Sequence, residues 1–216
     1  MSLIQIVLEL LGGLWVSIRI FAITLLFSLP LGLVVAFGRM SRNGFISTLT
    51  KVYISIMRGT PLMLQLFVVY YGPYYLLNIK LSPTYRSSAV YIGFIINYAA
   101  YFAEIYRSGI QSMPVGQYEA ADILGYTRAQ SFFRIILPQV VKRILPAVTN
   151  EVITLVKDTS LAFSISVMEM FTKAKALSSS QTSMTPLIVA GVFYYIFNFI
   201  VALMMERLEK KMDYYQ

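Results

Sequence analysis

The sequence contains no cysteine and no histidine. Without cysteine there is no disulfide framework, no thiolate metal site and no cysteine nucleophile. Without histidine the commonest general base and metal ligand is missing. Charge is scarce as well, at 13% of 216 residues, where soluble domains carry about 25%. No GxxxxGK[ST] loop occurs, so the chain cannot cradle nucleotide phosphates by that route. No cofactor, metal site or catalytic group is therefore expected, and no internal repeat suggests a solenoid.

What the sequence has in quantity is apolar surface, 57% of its residues. A spanning helix needs about 20 mostly apolar residues, and such stretches recur from end to end. They predict five transmembrane helices, at 14–37, 53–75, 87–110, 144–167 and 186–205, in one all-α membrane domain over 1–216. The second is interrupted by Gly59 and Pro61. The fourth is the most polar, with Asn150, Glu151, Lys157 and Asp158. Ahead of the first, residues 3–11 place Ile4, Val7, Leu8 and Leu11 on one helical face. This predicts an interfacial turn, set off by Gly12-Gly13. The first basic residue is Arg19, so no signal-peptide n-region is expected.

Net charge is +8, an excess that in membrane proteins collects in cytoplasmic loops. With the N-terminus outside, eleven of the 18 Lys and Arg fall on the cytoplasmic side. Only Lys80, Arg86, Lys173 and Lys175 fall outside, and Arg19, Arg58 and Lys157 lie within spans. The bias favours N-out, C-in, with Gln216 inside. Tyr70, Tyr71, Tyr74 and Tyr75 then sit in the outer aromatic belt.

The connection at 111–139 is cytoplasmic in this orientation. Pro114 and Gly116 end the third span. A short helix is expected from Gln117 to Leu124, with Glu119 in its first turn and Gly125 as its stop. Thr127 and Gln130 have capping-box spacing and start a second short helix, which Pro138 is expected to close. On spacing alone, a compact coupling knob and an ordinary amphipathic loop are equally open.

Glu119-Ala120-Ala121, then Gly125, then Ile135-x-Leu137-Pro138 resembles the EAA loop of binding-protein-dependent ABC importer permeases. Arg58-Gly59-Thr60-Pro61-Leu62 with Gln65-Leu66-Phe67 resembles the second span of polar-amino-acid permeases. Ala103-Glu104-Ile105 with Arg107, Gly109 and Ile110 resembles their third span, and Lys157-Asp158-Thr159-Ser160-Leu161 their fourth. The likeness runs over about 14–208 and is close to the histidine, glutamine and arginine permease subunits. Phe163-Ser164-Ile165 departs from it, where smaller residues are the pattern. The resemblance implies a five-span type I permease in a bacterial cytoplasmic membrane. It implies a second permease copy, with a homodimer favoured over a paralogue pair. It also implies ATPase subunits that bind the ATP, and an extracytoplasmic amino-acid-binding protein. In that setting Gln117, Glu119, Ala120, Ala121, Leu124 and Gly125 form the ATPase-coupling element, with small Ala120 and Ala121 seating in a groove of the ATPase.

Charges within spans face a partner or a water-filled path. Arg19 lies about 8 Å into its span and snorkels outward. Arg58 precedes the break and pairs with Glu151 or stays structural. Asp158 lies roughly 21 Å into the fourth span and Glu104 about 9 Å from the inner end of the third. Either can hold a substrate ammonium. The alternatives are structural ion pairs, Asp158 with Lys157 or Arg58 and Glu104 with Arg107. Thr60 is expected to line the path, and Asn97 and Gln65 either hold substrate or join helices. The carboxylates lean the substrate toward arginine, lysine or histidine, with a glutamine- or glutamate-type importer as the alternative. An intramembrane hydrolase lacks its side chains here, and a channel lacks a filter or charged ring.

Overall fold

In the computed structural model, residues 2–82 and 84–212 are described, and all regular structure among them is helical. Gln216, whose cytoplasmic placement the charge bias predicts, lies outside the described residues. The order is α1 (Leu3–Arg39), α2 (Gly44–Gly59), α3 (Leu62–Leu77), α4 (Tyr85–Gln111), α5 (Val115–Ile123), α6 (Arg128–Gln130), α7 (Leu137–Asp158), α8 (Met170–Gln181) and α9 (Thr185–Met212). A π-helical stretch, Ser131–Ile136, joins α6 to α7, and a 3-10 stretch, Thr159–Ile165, follows α7. Three helices, α1, α4 and α9, are long and apolar enough to cross a membrane. The α2–α3 pair, bent by 112°, makes up to four. The fourth expected span falls on α7, which stands apart because its exposed and half-buried face is charged.

The bundle is organised on α1 and α4. Along α1, Gly13, Ser17, Ile20, Thr24, Ser28, Gly32 and Ala36 are buried at three- and four-residue spacing, and all but Ile20 are small. Small side chains let backbones approach closely where no aqueous hydrophobic force drives helices together. A Cβ on Gly32 would lie 2.9 Å from Phe102 Cβ and 3.1 Å from the Ala99 carbonyl. Around this seam, Phe94, Tyr98 and Phe102 of α4 pack with Leu66 of α3 and Leu155 and Val156 of α7.

Two sequence-based boundaries are corrected. Gly12-Gly13 does not break the chain: α1 runs unbroken from an N-terminal capping box on Ser2 and Gln5. The smallness of Gly13 serves packing, because a Cβ there would sit 2.7 Å from Met170 Cα. Pro138 does not end the cytoplasmic unit. It occupies the first turn of α7, where a missing N–H is tolerated, and the π-helical stretch carries the chain from α6 straight into α7. The capping box on Thr127 and Gln130 is present as expected.

Outside the seam a second buried corner joins α8 to α1 and α9 through Ile6, Leu10, Met170, Ala174 and Ala190. Glu169 caps α8 there, fully buried. Its carboxylate accepts from the Phe171 amide (2.6 Å), the Thr172 amide and hydroxyl (2.7 Å each) and the Tyr194 hydroxyl of α9 (3.0 Å).

These contacts separate two glycines by sign. Gly13→Ala should lower the thermal midpoint in detergent, because backbone atoms of Met170 must move; overpacking of this kind costs roughly 1–3 kcal/mol. Gly191→Ala, with open space around it in mid-α9, should hold or raise the midpoint through helix propensity. Equal midpoints for both variants would contradict the packing account of Gly13.

Candidate functional site

The charged side chains of the interior line up along α4 and α7. On α7, Glu151 and Asp158 are seven residues apart, on one face and about 10 Å along the axis. Flanking them on the helix, Val152, Leu155 and Val156 are buried. Asp158 Oδ2 accepts from the Tyr98 hydroxyl at 2.8 Å, and Tyr98 is fixed by stacking on Phe94. Neither Lys157 nor Arg58 reaches Asp158 as an ion pair among the described residues; Lys157 is exposed. The structure thus gives Asp158 a neutral partner in place of either cation expected from the sequence.

Glu104 is different. Arg107, one turn along α4, donates to both of its carboxylate oxygens, through Nε at 3.0 Å and through Nη2. This is the i,i+3 pair foreseen as an alternative to substrate contact. Arg58 lies over the Tyr101 ring, 5.5 Å from its centroid, and makes no ion pair with Glu151 among the described residues. Arg58, Tyr101, Glu104, Ser108, Arg143 and Glu151 line a common cleft of about 320 Å³. Two carboxylates of this region, Glu151 and Asp158, therefore carry no cation. Glu151 was expected beside Arg58 as a structural partner; its openness to the cleft depends on the α4–α7 geometry, which no local pattern encodes.

Gln65, Asn97 and Thr60 come together at the α2–α3 break. Gln65 Nε2 donates to the Met57 carbonyl (3.0 Å), the Thr60 carbonyl (3.1 Å) and the Thr60 hydroxyl (2.9 Å). Asn97 Nδ2 donates to Gln65 Oε1 (2.9 Å) and to the Met57 carbonyl (3.1 Å). A helix break inside a membrane leaves carbonyls that hydrocarbon cannot satisfy. These two amides supply the donors, and α4 is tied to the break by Asn97. Thr60 itself is exposed, and Gln65 and Asn97 are buried.

The cytoplasmic loop folds into α5 and a tight turn. The Tyr126 amide donates to the Ala121 carbonyl and the Gly125 amide to the Asp122 carbonyl, both at 3.0 Å. With Gly125 at φ +76° this is a Schellman stop, a conformation that glycine adopts without a Cβ penalty. Met113, Ile136 and Val140 form a small core under α5. Ala121 turns into this chain at 1% exposure, so of the two alanines only Ala120 is available to a partner's groove. Glu119 is exposed, and Gln117 Oε1 accepts from Gln139 Nε2 at 3.3 Å. Outward the knob shows Val115, Ile123 (86% exposed), Leu124 and Phe133. The knob is tied to the bundle by Arg143, which donates to the Ser112 carbonyl at 2.6 Å. A Cβ on Gly109 would lie 2.1 Å from Ile144 Cγ2, so α4 and α7 touch there.

Glu169 escaped the sequence reading altogether. Its signal was local: a glutamate three residues before a threonine, at the start of the polar helix MFTKAKALSSSQ.

A family model described as "Binding-protein-dependent transport system inner membrane component" matches residues 28–214. The chain is similar to the L-cystine transport system permease protein TcyB of Bacillus subtilis, 37% identical over 206 residues, covering 94% of this chain and 86% of that protein. It is 40% identical over 193 residues to the octopine transport system permease protein OccM of Rhizobium radiobacter, covering 85% and 79%. A putative glutamine transport system permease protein, GlnP of Rickettsia bellii, is 32% identical, covering 95% and 94%. Among solved structures, that of an amino acid ABC transporter with histidines superposes with TM-score 0.87 at 28% identity, covering 96% of both chains. The MetNI methionine transporter, at 16% identity and TM-score 0.74, shares the fold.

The amide cluster generates a test of its own. Gln65→Leu should lower the thermal midpoint without ligand, because it strips donors from the carbonyls freed at the break, at roughly 1–3 kcal/mol. The further rise in midpoint on adding amino acid should persist. An unchanged ligand-free midpoint with a lost ligand response would make Gln65 a substrate contact and not a clamp.

Proposed function

The chain belongs to the family of binding-protein-dependent transport system inner membrane components, and on that premise we propose that it carries a cationic amino acid inward along the α4–α7 column. It is the permease subunit of an amino-acid ABC importer, a non-catalytic, multi-pass membrane protein. Such permeases work with ATPase subunits and a substrate-binding protein. The topology we propose is five crossings, N-out and C-in, on the strength of the basic-residue bias and the helices α1, α2–α3, α4, α7 and α9. Two copies of the chain pair in a homodimer.

One observation supports the cationic substrate best: Glu151 and Asp158 share a face of α7, and neither forms an ion pair among the described residues. An uncompensated carboxylate within a membrane is costly, and a cationic ligand relieves that cost when it binds. Arginine, lysine and histidine carry an ammonium and a second cationic or basic group, which suits two carboxylates. Arg58, which lines the cleft with Glu151, suits the α-carboxylate. A glutamine-type substrate would need only one of the two acids. Glu104, held by Arg107, serves further along toward the cytoplasm, where it can take the ammonium as Arg107 swings aside. Thr60 lines the path at the break, beside Gln65 and Asn97.

The coupling element in this reading is α5, through Gln117, Glu119, Ala120 and Leu124, with Ala121 and Gly125 holding its shape. An ATPase groove that closes on α5 pushes a rigid body, and the Arg143–Ser112 and Gly109–Ile144 contacts pass the motion to α4 and α7. The alternation between outward- and inward-open states is then biased by ATP.

Binding and coupling should separate by mutation in the reconstituted transporter. Asp158→Asn should weaken amino-acid affinity roughly tenfold, the scale of a charge-assisted hydrogen bond, while assembly with the ATPase survives. Glu104→Gln should act in the same direction and less strongly. Gly125→Val should leave binding intact and abolish substrate-stimulated ATP hydrolysis, since a β-branched residue at φ +76° strains the turn. Full transport by Gly125→Val would remove α5 as the coupling element, and unaltered affinity in Asp158→Asn would remove the carboxylate site.

A further inference from the structure

We propose that the outward face of α8, with Lys175 and the neighbouring Arg86, is the docking surface for an acidic rim of the binding protein. The proposal rests on the importer reading and its orientation, and adds the surface and the chemistry of the contact.

Four segments converge at the end of the bundle where α8 lies. Lys173 Nζ donates to the Glu9 carbonyl at 3.3 Å and approaches the Glu9 carboxylate at 3.9 Å, joining α8 to the start of α1. Arg86, in the first turn of α4, donates to the Ser166 carbonyl at 3.3 Å and lies over the Tyr70 ring of α3. Ser166 sits between the 3-10 stretch and α8. Lys175 lies 5.5 Å from the Phe163 ring centroid of that same stretch.

Charge at this end is one-sided because its acids are matched or withdrawn. The exposed Glu9 is balanced by Lys173, its ion-pair partner, and Glu169 is wholly buried among its four donors. Arg86 and Lys175 are exposed and form no ion pair among the described residues. Lys80, in the same outer connection, is also exposed. What solvent meets there is a positive rim.

The shape of α8 suits a close partner. Met170 and Ala174 face inward, while Lys175, Ala176, Ser179 and Ser180 form the exposed face. Apart from the lysine these side chains are small, so another backbone can approach. The face is polar, which makes lipid a poor cover for it, whereas charge complementarity selects a carboxylate-bearing protein surface. The helix is also rigidly mounted. Its N-terminus is locked by Glu169 to α9 and pressed by Met170 against Gly13. Its only link to α7 is the short segment that begins beside Asp158. A load placed on α8 therefore reaches the outer end of the α4–α7 column.

The transporter in lipid nanodiscs, with the binding protein that supports its uptake activity, provides the test. The readout is the concentration of amino-acid-loaded binding protein that gives half-maximal stimulation of ATP hydrolysis. In the wild type this concentration should rise steeply with KCl, because exposed charges are screened. Lys175→Glu and Arg86→Glu should each raise it at least severalfold, with basal hydrolysis unchanged. Lys210→Glu, at the opposite end of the molecule, should leave it alone. Wild-type values in both outer variants, or an equal effect of Lys210→Glu, would overturn the docking surface. A wild-type complex that no binding protein stimulates would instead overturn the importer reading on which it rests.

Discussion

Hydrocarbon offers no hydrogen bonds, so a polar group buried in this bundle is costly unless the protein itself supplies a partner. That constraint explains the main polar clusters of the interior, although the Thr24, Ser28 and Ser164 hydroxyls and Asn198 Oδ1 are left without one among the described residues. The carbonyls freed where α2 breaks into α3 are met by Gln65 and Asn97. The carboxylate of Glu169 takes four donors from α8 and α9. Asp158 takes the Tyr98 hydroxyl, and Glu104 takes Arg107. Small residues along α1 make these matches possible by bringing the helices to within reach of one another. The matching stops short at Glu151 and Asp158, which form no ion pair among the described residues, and at Arg58 over a tyrosine ring; the proposed function places a ligand of complementary charge there.

In the proposed reading the same rigidity lets the two ends of the molecule communicate. At one end α5 is stiffened by its glycine stop and a small core, and Arg143 ties that core to the end of α4. At the other, α8 is capped by a buried carboxylate and joined to α7 by a short 3-10 stretch. Both ends act on α4 and α7, the helices that carry the charged column. In the proposed reading, a push from the ATPase on α5 and a loaded binding protein on α8 bear on one pair of helices, and a two-state element biased from both sides is what coupling requires.

Much of this was legible in the sequence because it rests on local signals. Apolar length marked α1, α4 and α9; Gly59 and Pro61 marked the break; Thr127 and Gln130 marked the cap; and Gly125 marked the turn. The misreadings have one physical origin. Gly12-Gly13 looks like a breaker, yet its role is set by Met170, some 150 residues away in the chain. Pro138 looks like a stop, yet it stands in the first turn of α7, where a missing N–H is tolerated. Asp158 was matched with cations near in sequence or span, and its partner is a tyrosine on α4. Glu151 and Glu169 acquire their meaning only when α4, α8 and α9 are in place. Local propensity is readable residue by residue; a partner across the bundle is not.

The claim on which the account stands is that this chain passes a cationic amino acid under ATP drive. Uptake of labelled arginine into proteoliposomes containing this chain and its ATPase, with loaded binding protein outside and ATP within, tests it most directly. The account predicts saturable uptake that stops without ATP and is competed by lysine or histidine more strongly than by glutamine. Uptake that proceeds without ATP, or that glutamine suppresses and lysine and histidine do not, would contradict it.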